Sequence, residues 1–437
     1  MKVAYNREGS NQIQGVATLV LSHCNLKGQV QADVLLIESD ERYARFTFRH
    51  FSPTHFVITN LCRDQMTRNG HPEWIYDIIN QSVALMGEGT NFVLNADDPL
   101  VSRFGQGKAH VTWFGVGEIP ESHQPYHGLY DDGARCPLCK GRMVYHFRHY
   151  GNMGDYVCQS CGYRRAKPQF EVTNLQLSRG FLTINNTATI HLALKSMYNV
   201  YNVLAAFAVG SLLGVSEQSI SDSVSDYVLT NGRVVSFHMG ERHGLLLTSK
   251  HENSTSYNQS IQMVTAPGRD CTVMIIVQAI SRKYFTSDTS WLWDIDFENL
   301  NVPCVKKILL AGTYCWDLAA RFDYTGIDPQ RIVADPSIQQ AMELSLIHIC
   351  QRSEKPAWEI FHLHEKYAII KTAILSIKIH LFGPWSAHTL GGSAGRSSQK
   401  GRRLCFQNIS FSRCWSGRSP PAATLPSCLW RTPSPMV

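Results

Sequence analysis

Short apolar runs, each followed at once by an acidic or amide residue, restrict the fold of this 437-residue chain more than any other feature. They cover residues 32–37, 55–59 and 91–94. Runs of this length are typical of strands that are buried on both faces of a parallel sheet. The segment 72–86, which lies between two of them, has the pattern of a helix. The sequence therefore predicts an α/β fold, with a parallel sheet flanked by helices.

The residues that follow these runs are candidates for a ligand site. Glu38, Asn60 and Asn95 each stand directly after one run. Because ligands of open α/β sheets bind beyond the carboxyl ends of the strands, these side chains predict one acceptor-rich crevice. Asn and acidic residues are also common in turns and helix caps, which is the alternative for each position taken alone.

A second α/β region follows in the C-terminal half. Strand-like runs cover residues 272–277, 307–312 and 331–335, and the pattern of residues 314–322 predicts a helix. This region has the size of a smaller second domain.

A long helix is predicted between the two regions, over residues 197–213. Asn199 and Asn202 lie three residues apart and therefore on one face of its first turns. Their amides are suited to contact a ligand. The alternative for Asn199 is that it caps the helix.

Four cysteines form the strongest local motif of the sequence. Cys136 and Cys139 make one C-x-x-C pair, and Cys158 and Cys161 make a second pair after a spacer of eighteen residues. Two such pairs can surround a zinc ion tetrahedrally, and four thiolates leave no open position, so the metal would be structural. The alternative is a set of four unliganded buried thiols.

The residues around the cysteines carry a separate prediction. Zinc ribbons often bind nucleic acid, but this one lies inside an α/β frame. Its basic neighbours are predicted to form a solvated face rather than a nucleic-acid site; they are Lys140, Arg142, Arg148, Arg164 and Arg165. His146 and His149 are predicted to lie at the surface and not to bind the metal.

The charge of the chain is divided unevenly along its length. The net charge is +6, yet no Asp or Glu follows Glu365, whereas ten of the 41 basic residues do. Residues 1–365 therefore hold 31 basic and 35 acidic residues, a net charge of −4, and give no electrostatic case for nucleic-acid binding. We predict that residues 344–437 are a non-native or disordered tail, because no periodic pattern persists there. The alternative is a basic arm that binds anionic partners.

Several protein classes are disfavoured by what the sequence lacks. No uninterrupted apolar stretch approaches the roughly 20 residues of a membrane-spanning helix. Residues 1–8 do not resemble a secretory signal, and the 13 cysteines are an odd number for a disulfide framework. No G-x-S-x-G, H-E-x-x-H or G-x-G-x-x-G motif stands where a strand meets a helix, and a P-loop motif is missing as well. We therefore expect a cytoplasmic protein with reduced thiols.

Several motifs together resemble those of the Mur ligase family. They lie at residues 5–11, 37–41, 59–65, 95–99, 198–206 and 231–233. The four cysteines, with residues 288–294 downstream, narrow the resemblance to the MurT branch of that family. The resemblance covers about residues 2–343.

The resemblance implies an ATP-dependent ligase of peptidoglycan synthesis. Members of this branch use ATP and Mg²⁺ to phosphorylate the α-carboxyl of D-glutamate in the stem peptide of lipid II, and ammonia then displaces the phosphate. The ammonia comes from a GatD-type glutaminase that forms a heterodimer with the ligase subunit. The implied setting is the cytoplasm of a Gram-positive bacterium, at the inner face of the membrane, with no nucleic-acid partner.

The resemblance also implies roles for individual residues. Glu38 would hold Mg²⁺ directly or through water. Asp288 would complete a Cys-His-Asp triad by orienting the histidine of the partner glutaminase, although without the resemblance it would be interpreted as a helix cap. The residues implied to contact the nucleotide or to line its crevice are Asn199, Asn202, Arg233, Asn60 and Asp64.

The implied domain organisation has three parts. Residues 1–235 would form a Mur ligase central ATP-binding domain with a zinc-ribbon insertion at 131–168, residues 236–343 an incomplete Rossmann-like C-terminal domain of the MurT type, and residues 344–437 the tail. Family members carry a phosphate loop, Gly-Thr-Asn-Gly-Lys-Thr, upstream of the stretch that begins this chain. We therefore expect the chain as written to be an inactive fragment.

Two alternative functions stay open at this point. The first is another Mur-type amino-acid ligase, such as a folylpolyglutamate-type enzyme, which would need no glutaminase. The second is a zinc-ribbon nucleic-acid-binding protein, whose salt-dependent affinity would survive deletion of residues 344–437.

Overall fold

A computed structural model describes residues 1–6, 9–122, 128–227, 234–239, 242–247, 249, 252–277 and 288–341. Arg233 and the predicted tail at 344–437 lie outside these residues. The domain boundaries at 235 and 343 therefore stay predictions.

The N-terminal elements form a small sheet of their own. Strand β1 (Val3–Tyr5) pairs in parallel with β2 (Val34–Leu36), and helix α1 (Ile13–Ser22) connects them. Helix α2 (Ala44–Thr47) follows. The predicted run at 32–37 is therefore a parallel strand. It belongs to a two-stranded sheet separate from the main one.

The main sheet and its helices come next along the chain. The elements are β3 (His55–Ile58), α3 (Met66–Asn69), α4 (Pro72–Val83), β4 (Asn91–Asn95), α5 (Pro99–Arg103), β5 (Val111–Val116), β6 (Met143–Tyr150), β7 (Met153–Cys158), β8 (Phe170–Gln176), β9 (Phe181–Ile184), β10 (Ala188–His191), α6 (Met197–Leu212) and α7 (Glu217–Ser225).

Six of these strands form one sheet in the order β10-β9-β8-β5-β4-β3. Strands β8, β5, β4 and β3 are parallel to one another. Strand β9 is antiparallel to β8, and β10 is antiparallel to β9. The predicted parallel sheet is confirmed, with an antiparallel extension at one edge.

Both faces of this sheet are covered. Along β4, Phe92 and Leu94 pack into a core with α4 and α5, whereas Val93 between them packs into a second core with α6. Side chains of a strand alternate between the two faces, so α4 and α6 cover opposite faces. The continuous apolar run of β4 reflects this double burial.

The four-cysteine segment is inserted between β5 and β8. Strands β6 and β7 form an antiparallel hairpin, and a small core beside it contains Cys136, Tyr145 and Tyr156. We call the segment from Asp131 to Pro168, with this hairpin, the ribbon.

The C-terminal region contains a second parallel sheet. Its elements are β11 (Val234–Met239), β12 (Arg242–Leu247), α8 (Ser254–Thr265), β13 (Cys271–Ile276), β14 (Val305–Ala311), α9 (Cys315–Phe322) and β15 (Ile332–Asp335). Strands β13, β14 and β15 lie at the three predicted runs and pair in parallel, and β11 pairs with β12 in a separate hairpin. Trp291 and Phe297, which lie in two 3₁₀ turns, join the core of this region.

Across the parts of the chain that the structure describes, no helix combines the length and the apolar character needed to cross a membrane.

Candidate active site

The loops after β3 and β4 meet, as expected for neighbouring parallel strands. Asn95 is fully buried; its Nδ2 donates to the carbonyl of Thr59 at 2.8 Å, and its Oδ1 accepts from the N–H of Asp97 at 3.0 Å. Asn95 therefore joins the two loops, and the turn alternative holds for it. Asn60 is half-buried, donates to the hydroxyl of Thr59 at 3.3 Å and accepts from the thiol of Cys62 at 3.4 Å.

Glu38 lies at the carboxyl end of β2, outside the main sheet. Its side chain is exposed, and its Oε1 accepts from Nδ2 of Asn11 at 3.3 Å. The side chain of Asn6 holds the Glu38 backbone, since Oδ1 accepts its N–H at 3.2 Å and Nδ2 donates to its carbonyl at 3.3 Å. An outward carboxylate of this kind suits Mg²⁺, which is usually held by one or two carboxylates and substrate phosphates.

The two asparagines of α6 have different surroundings. Nδ2 of Asn199 donates to a backbone carbonyl before the helix at 3.0 Å, and Ser196 occupies the N-cap position, so Asn199 does not cap the helix. Asn202 is exposed. The helix is fixed to the end of β4 between these two residues, because the Tyr201 hydroxyl donates to Asp97 Oδ2 at 2.7 Å.

Asp64 connects the loop after β3 to the C-terminal region. Its Oδ1 accepts from Nδ2 of Asn253 at 3.1 Å, and the N–H of the next residue, Gln65, donates to the carbonyl of Glu252 at 2.8 Å. Gln65 and Glu252 have φ angles of 49° and 57°. Residues other than glycine rarely adopt this conformation, and such strained residues concentrate at functional sites.

Asp288 is exposed at the start of a 3₁₀ turn, Ser290–Asp294. Its Oδ1 accepts from the N–H of Ser290 at 2.9 Å, and this bond lowers the pKa of Asp288. Thr289 occupies the N-cap position, so Asp288 lies one residue before the cap, although its side chain accepts from the first N–H of the turn much as the alternative interpretation expects. The position is also accessible to a partner protein.

A cavity of about 420 Å³ lies where the strand-end loops, the ribbon and the C-terminal region meet. Eight of its lining residues have amide or carboxylate side chains, which can bind the N–H or O–H groups of a ligand. Lining residues include Cys62, Arg63, Tyr130, Asp132, Tyr150, Asn152, Asn258, Gln259, Gln262, Asp294, Asp296 and Asn299. Sequence reasoning missed this cavity because its walls come from five separate segments.

Arg63 links three of those segments. Its Nε and Nη2 donate to Asp132 at 2.7 and 2.9 Å, its Nη1 donates to Asp294 at 2.9 Å, and its guanidinium stacks on the ring of Tyr130. The hydrogen bonds to Asp132 raise the pKa of Arg63. Burial raises the pKa of Asp294, and Arg63 partly offsets that effect.

Asp98 is a second buried carboxylate at the end of β4. Its Oδ1 accepts from the N–H groups of Leu100 and Val101, which caps α5, and its Oδ2 accepts from the N–H of Leu61 at 2.7 Å. Burial outweighs these bonds and raises the pKa of Asp98 to about 6.

The side chain of Asp97 is fully buried and accepts hydrogen bonds from three donors. Its Oδ1 accepts from Nε of Arg165 at 2.6 Å, and its Oδ2 accepts from the N–H of Val116 and the Tyr201 hydroxyl, both at 2.7 Å. The sequence offered no sign of this role, since Arg165 lies in the ribbon.

Two predictions about the ribbon surface are wrong. Arg165 pairs with Asp97, and Arg148, 6% exposed, pairs with Asp131 at 2.8 Å, so neither belongs to a solvated face. His149 is buried, with Nε2 3.1 Å from the carbonyl of Val116, whereas His146 is exposed as predicted. The reason is that the hairpin packs against the end of the main sheet, which buries one of its faces.

The four cysteines converge as their spacing predicts. All four Sγ atoms lie within 4.8 Å of one another, with Cys136 3.7 Å from Cys161 and Cys139 3.5 Å from Cys158. Tetrahedral zinc with bonds of about 2.3 Å needs sulfur separations of about 3.8 Å. The backbone N–H of Cys161 lowers the pKa of Cys158 to about 6, whereas burial raises the pKa of Cys136, so the sulfur separations carry the case for zinc. The donor set therefore fits zinc.

Comparison with known proteins gives one family match and several relatives. Residues 251–362 match the family described as MurT ligase C-terminal. The chain is 26% identical over 334 residues to the MurT subunit of lipid II isoglutaminyl synthase (glutamine-hydrolyzing) of Staphylococcus aureus strain COL, covering 76% of this chain and 73% of the relative. It is 28% identical over 349 residues to the subunit of the same name from Streptococcus pneumoniae, covering 78% and 75%.

Among solved structures, a pseudomurein peptide ligase type C from Methanothermus fervidus has a similar fold. The TM-score is 0.56 at 20% identity, with 72% of this chain and 60% of that chain covered. The chain thus spans about three quarters of the two sequence relatives and three fifths of the solved ligase. The likeness supports the α/β fold with parallel sheets.

Proposed function

This chain belongs to the Mur ligase family, in its MurT branch, and from that premise we propose that it is an ATP-dependent ligase subunit that amidates lipid II. In this proposal the acceptor is the α-carboxyl of D-glutamate in the stem peptide, and a GatD-type glutaminase supplies ammonia. The reaction belongs to peptidoglycan synthesis, at the cytoplasmic face of the membrane where ATP and lipid II are both available.

The chemistry proceeds in two steps. A carboxylate is a poor electrophile, so its oxygen first takes the γ-phosphoryl group of ATP, which leaves ADP and an acyl phosphate. Ammonia then attacks the acyl carbon, the C–O bond to the phosphate breaks, and the product is a primary amide plus inorganic phosphate. Mg²⁺, when bound, neutralises the charge on the transferring phosphoryl group.

One observation carries the proposal: the loop after β3, through Cys62 and Arg63, and the region matched by the MurT C-terminal family line the same cavity. Arg63, from the loop after β3, forms an ion pair with Asp294 of the C-terminal region. Asp64, from the same loop, accepts from Asn253 at the start of α8. A ligase that transfers a phosphoryl group from a nucleotide to an acceptor needs a site of this kind, where both regions can contact substrates.

Residue roles follow from the resemblance and from placement. Glu38 is proposed to bind Mg²⁺, supported by its exposed carboxylate at the end of β2. Asn202 and Asn199 are proposed to contact the nucleotide, supported by their place on the first turns of α6. Asn60 and Asp64 are proposed to line the crevice. Arg233 is proposed to reach the phosphates on the resemblance alone.

Asp288 is proposed to act across the interface with the glutaminase. Its exposure fits that role, and there it would orient the histidine of the partner's triad. A structural Zn²⁺ is proposed for Cys136, Cys139, Cys158 and Cys161, supported by the separations of their sulfur atoms.

The test is amidation of lipid II, followed by mass spectrometry, with ATP, Mg²⁺, glutamine and a GatD-type glutaminase. It uses this chain and a version that carries the family phosphate loop upstream of Met1. We expect glutamine-dependent formation of the amide from the extended version. No product from either version would contradict the proposal, and ligation of an amino acid without the glutaminase would favour another Mur-type ligase.

Three variants separate the proposed roles. Glu38→Gln should lose amidation with glutamine and with ammonium chloride alike, because phosphoryl transfer is affected. Asp288→Asn should lose the reaction with glutamine and keep it with ammonium chloride, because only ammonia supply is affected. Asp222→Asn, an exposed residue of α7, is the control and should behave as the parent.

A further inference from the structure

We propose that the ribbon positions helix α6 and the end of β4 through one shared carboxylate, that of Asp97. Asp97 is thus a positioning residue, and Arg165 and Tyr201 are its contacts on the two sides. The coupling itself does not rest on the proposed function; only its consequence for nucleotide contacts does.

The first step is the attachment of the ribbon to the residues after β4. Nε of Arg165 donates to Asp97 Oδ1 at 2.6 Å, and the N–H of Gly154 donates to the Asp97 carbonyl at 3.0 Å. The hydroxyl of Tyr163, two residues from the last cysteine, donates to the carbonyl of Pro99 at 2.8 Å. The ribbon is therefore bonded directly to both the side chain and the backbone of this turn.

The second step leads from the same carboxylate to α6. Oδ2 of Asp97 accepts from the Tyr201 hydroxyl at 2.7 Å, and both residues are at most 1% exposed. Tyr201 directly precedes Asn202 and lies two residues after Asn199. A shift of Tyr201 therefore moves both amides.

Space for this arrangement is provided by a glycine in β5. A Cβ atom on Gly115 would lie 2.5 Å from Asp97 Oδ1 and 2.9 Å from Nη2 of Arg165. A larger residue there would push the ion pair apart. The strand is thus shaped around the pair, which distinguishes it from an incidental surface contact.

The third step is the effect of losing one partner. A buried carboxylate needs its full set of donors, because no water replaces a missing one. If Arg165 moves with the ribbon, Asp97 must turn or draw in another donor, and its bond to Tyr201 changes with it. A change in the position of the ribbon therefore changes the position of α6.

Hydrogen–deuterium exchange with mass spectrometry tests this coupling without any substrate. The experiment compares Arg165→Gln with Arg164→Gln in the full chain, since Arg164 is the exposed neighbour and has no bond to Asp97. We expect Arg165→Gln to speed amide exchange roughly tenfold in peptides that cover residues 197–205 and 95–101. A change of that size corresponds to the loss of about one hydrogen bond. Arg164→Gln should leave those peptides unchanged.

Removal of metal by a chelator gives an independent arm. In the parent, exchange should rise in the ribbon and also in 197–205. In Tyr201→Phe, which keeps the ring but lacks the hydroxyl, chelation should affect the ribbon alone, because the bond to Asp97 is already absent. Equal exchange in 197–205 for Arg165→Gln and Arg164→Gln, or a chelation response of that helix that persists in Tyr201→Phe, would overturn the proposal. Amidation activity enters neither arm.

Discussion

The buried carboxylate of Asp98 has two structural roles. It caps α5 and holds the N–H of Leu61, yet it has no contact with solvent. Burial raises the pKa of this carboxyl to about 6, whereas in the unfolded chain it stays near 3.8. Because the folded pKa is the higher one, the protonated form stabilises the fold, and this contribution is lost as the pH rises from about 4 to about 6.

The pH dependence of stability should therefore change in Asp98→Asn. We expect the free energy of unfolding of the parent, relative to the variant, to fall by about 2 kcal/mol between pH 4 and pH 7. The variant should also be less stable at pH 4, because its Nδ2 faces the N–H of Leu61. Urea unfolding at several pH values measures both effects. A difference between parent and variant that is constant with pH would contradict the raised pKa.

The ion pair between Arg63 and Asp294 gives a second prediction about individual residues. Both side chains are mostly buried, at 16% and 13% exposure, so their interaction should exceed that of a surface pair. A double-mutant cycle with Arg63→Met and Asp294→Asn should give a coupling of about 1–3 kcal/mol in urea unfolding.

The matched control is the pair Lys306 and Asp270, which are 48% and 61% exposed at a distance of 3.1 Å. Its cycle, with Lys306→Met and Asp270→Asn, should give less than about 0.5 kcal/mol. Equal coupling in the two cycles would mean that Arg63 does not hold the cavity walls together.

Some of these residues could be predicted from the sequence around them, and others could not. Asn60 and Asn95 could be placed at neighbouring strand ends, since each follows an apolar run. Asp97 and Asp98 belong to the motif at 95–99, but their contacts could not be predicted, because their partners are far away in sequence. Arg165 and Tyr201 are 68 and 104 residues from Asp97, and no local pattern marks such a pairing.

At the scale of elements, the ribbon offers the clearest test. Cys136 is fully buried in the small core of the ribbon, and four sulfur atoms at these separations would hold one zinc. Cys136→Ser should lose the zinc and lower the melting temperature, because metal binding and folding of such a segment are coupled.

Zinc content per chain and thermal unfolding measure this outcome. Cys315 is also fully buried but lies at the start of α9, outside the cluster, so Cys315→Ser is the control for loss of a buried thiol. It should retain about one zinc per chain. Zinc retained at that level in Cys136→Ser would contradict a four-thiolate site.

The elements themselves were predictable to different degrees. The parallel strands β4 and β14 are buried on both faces, so their apolar runs stand out in the sequence. Strands β6 and β8 escaped prediction because they mix buried and accessible positions with polar residues. Their places depend on the insertion of the ribbon, which is a tertiary effect.

At the scale of the whole molecule, the distribution of charge distinguishes the proposed ligase from a nucleic-acid-binding protein. Residues 1–365 have a net charge of −4, and the ten basic residues after Glu365 account for the basic character of the chain. In the described part of the ribbon, Arg148 and Arg165 are engaged in buried ion pairs and cannot contact a phosphate backbone. Any affinity for nucleic acid should therefore come from the tail.

Deletion of residues 344–437 tests this inference. The full chain should bind duplex DNA weakly at low salt, with an affinity that falls steeply as salt is added, because the contact is made by phosphate neutralisation. On the prediction that the tail is non-native, the deletion should abolish this binding and leave the melting temperature unchanged, although residues 344–362 fall within the stretch matched by the MurT C-terminal family. Fluorescence anisotropy across a salt series and thermal unfolding measure the two outcomes. Binding that survives the deletion would favour a ribbon that recognises nucleic acid, and a lower melting temperature would mean that the tail is part of the native fold.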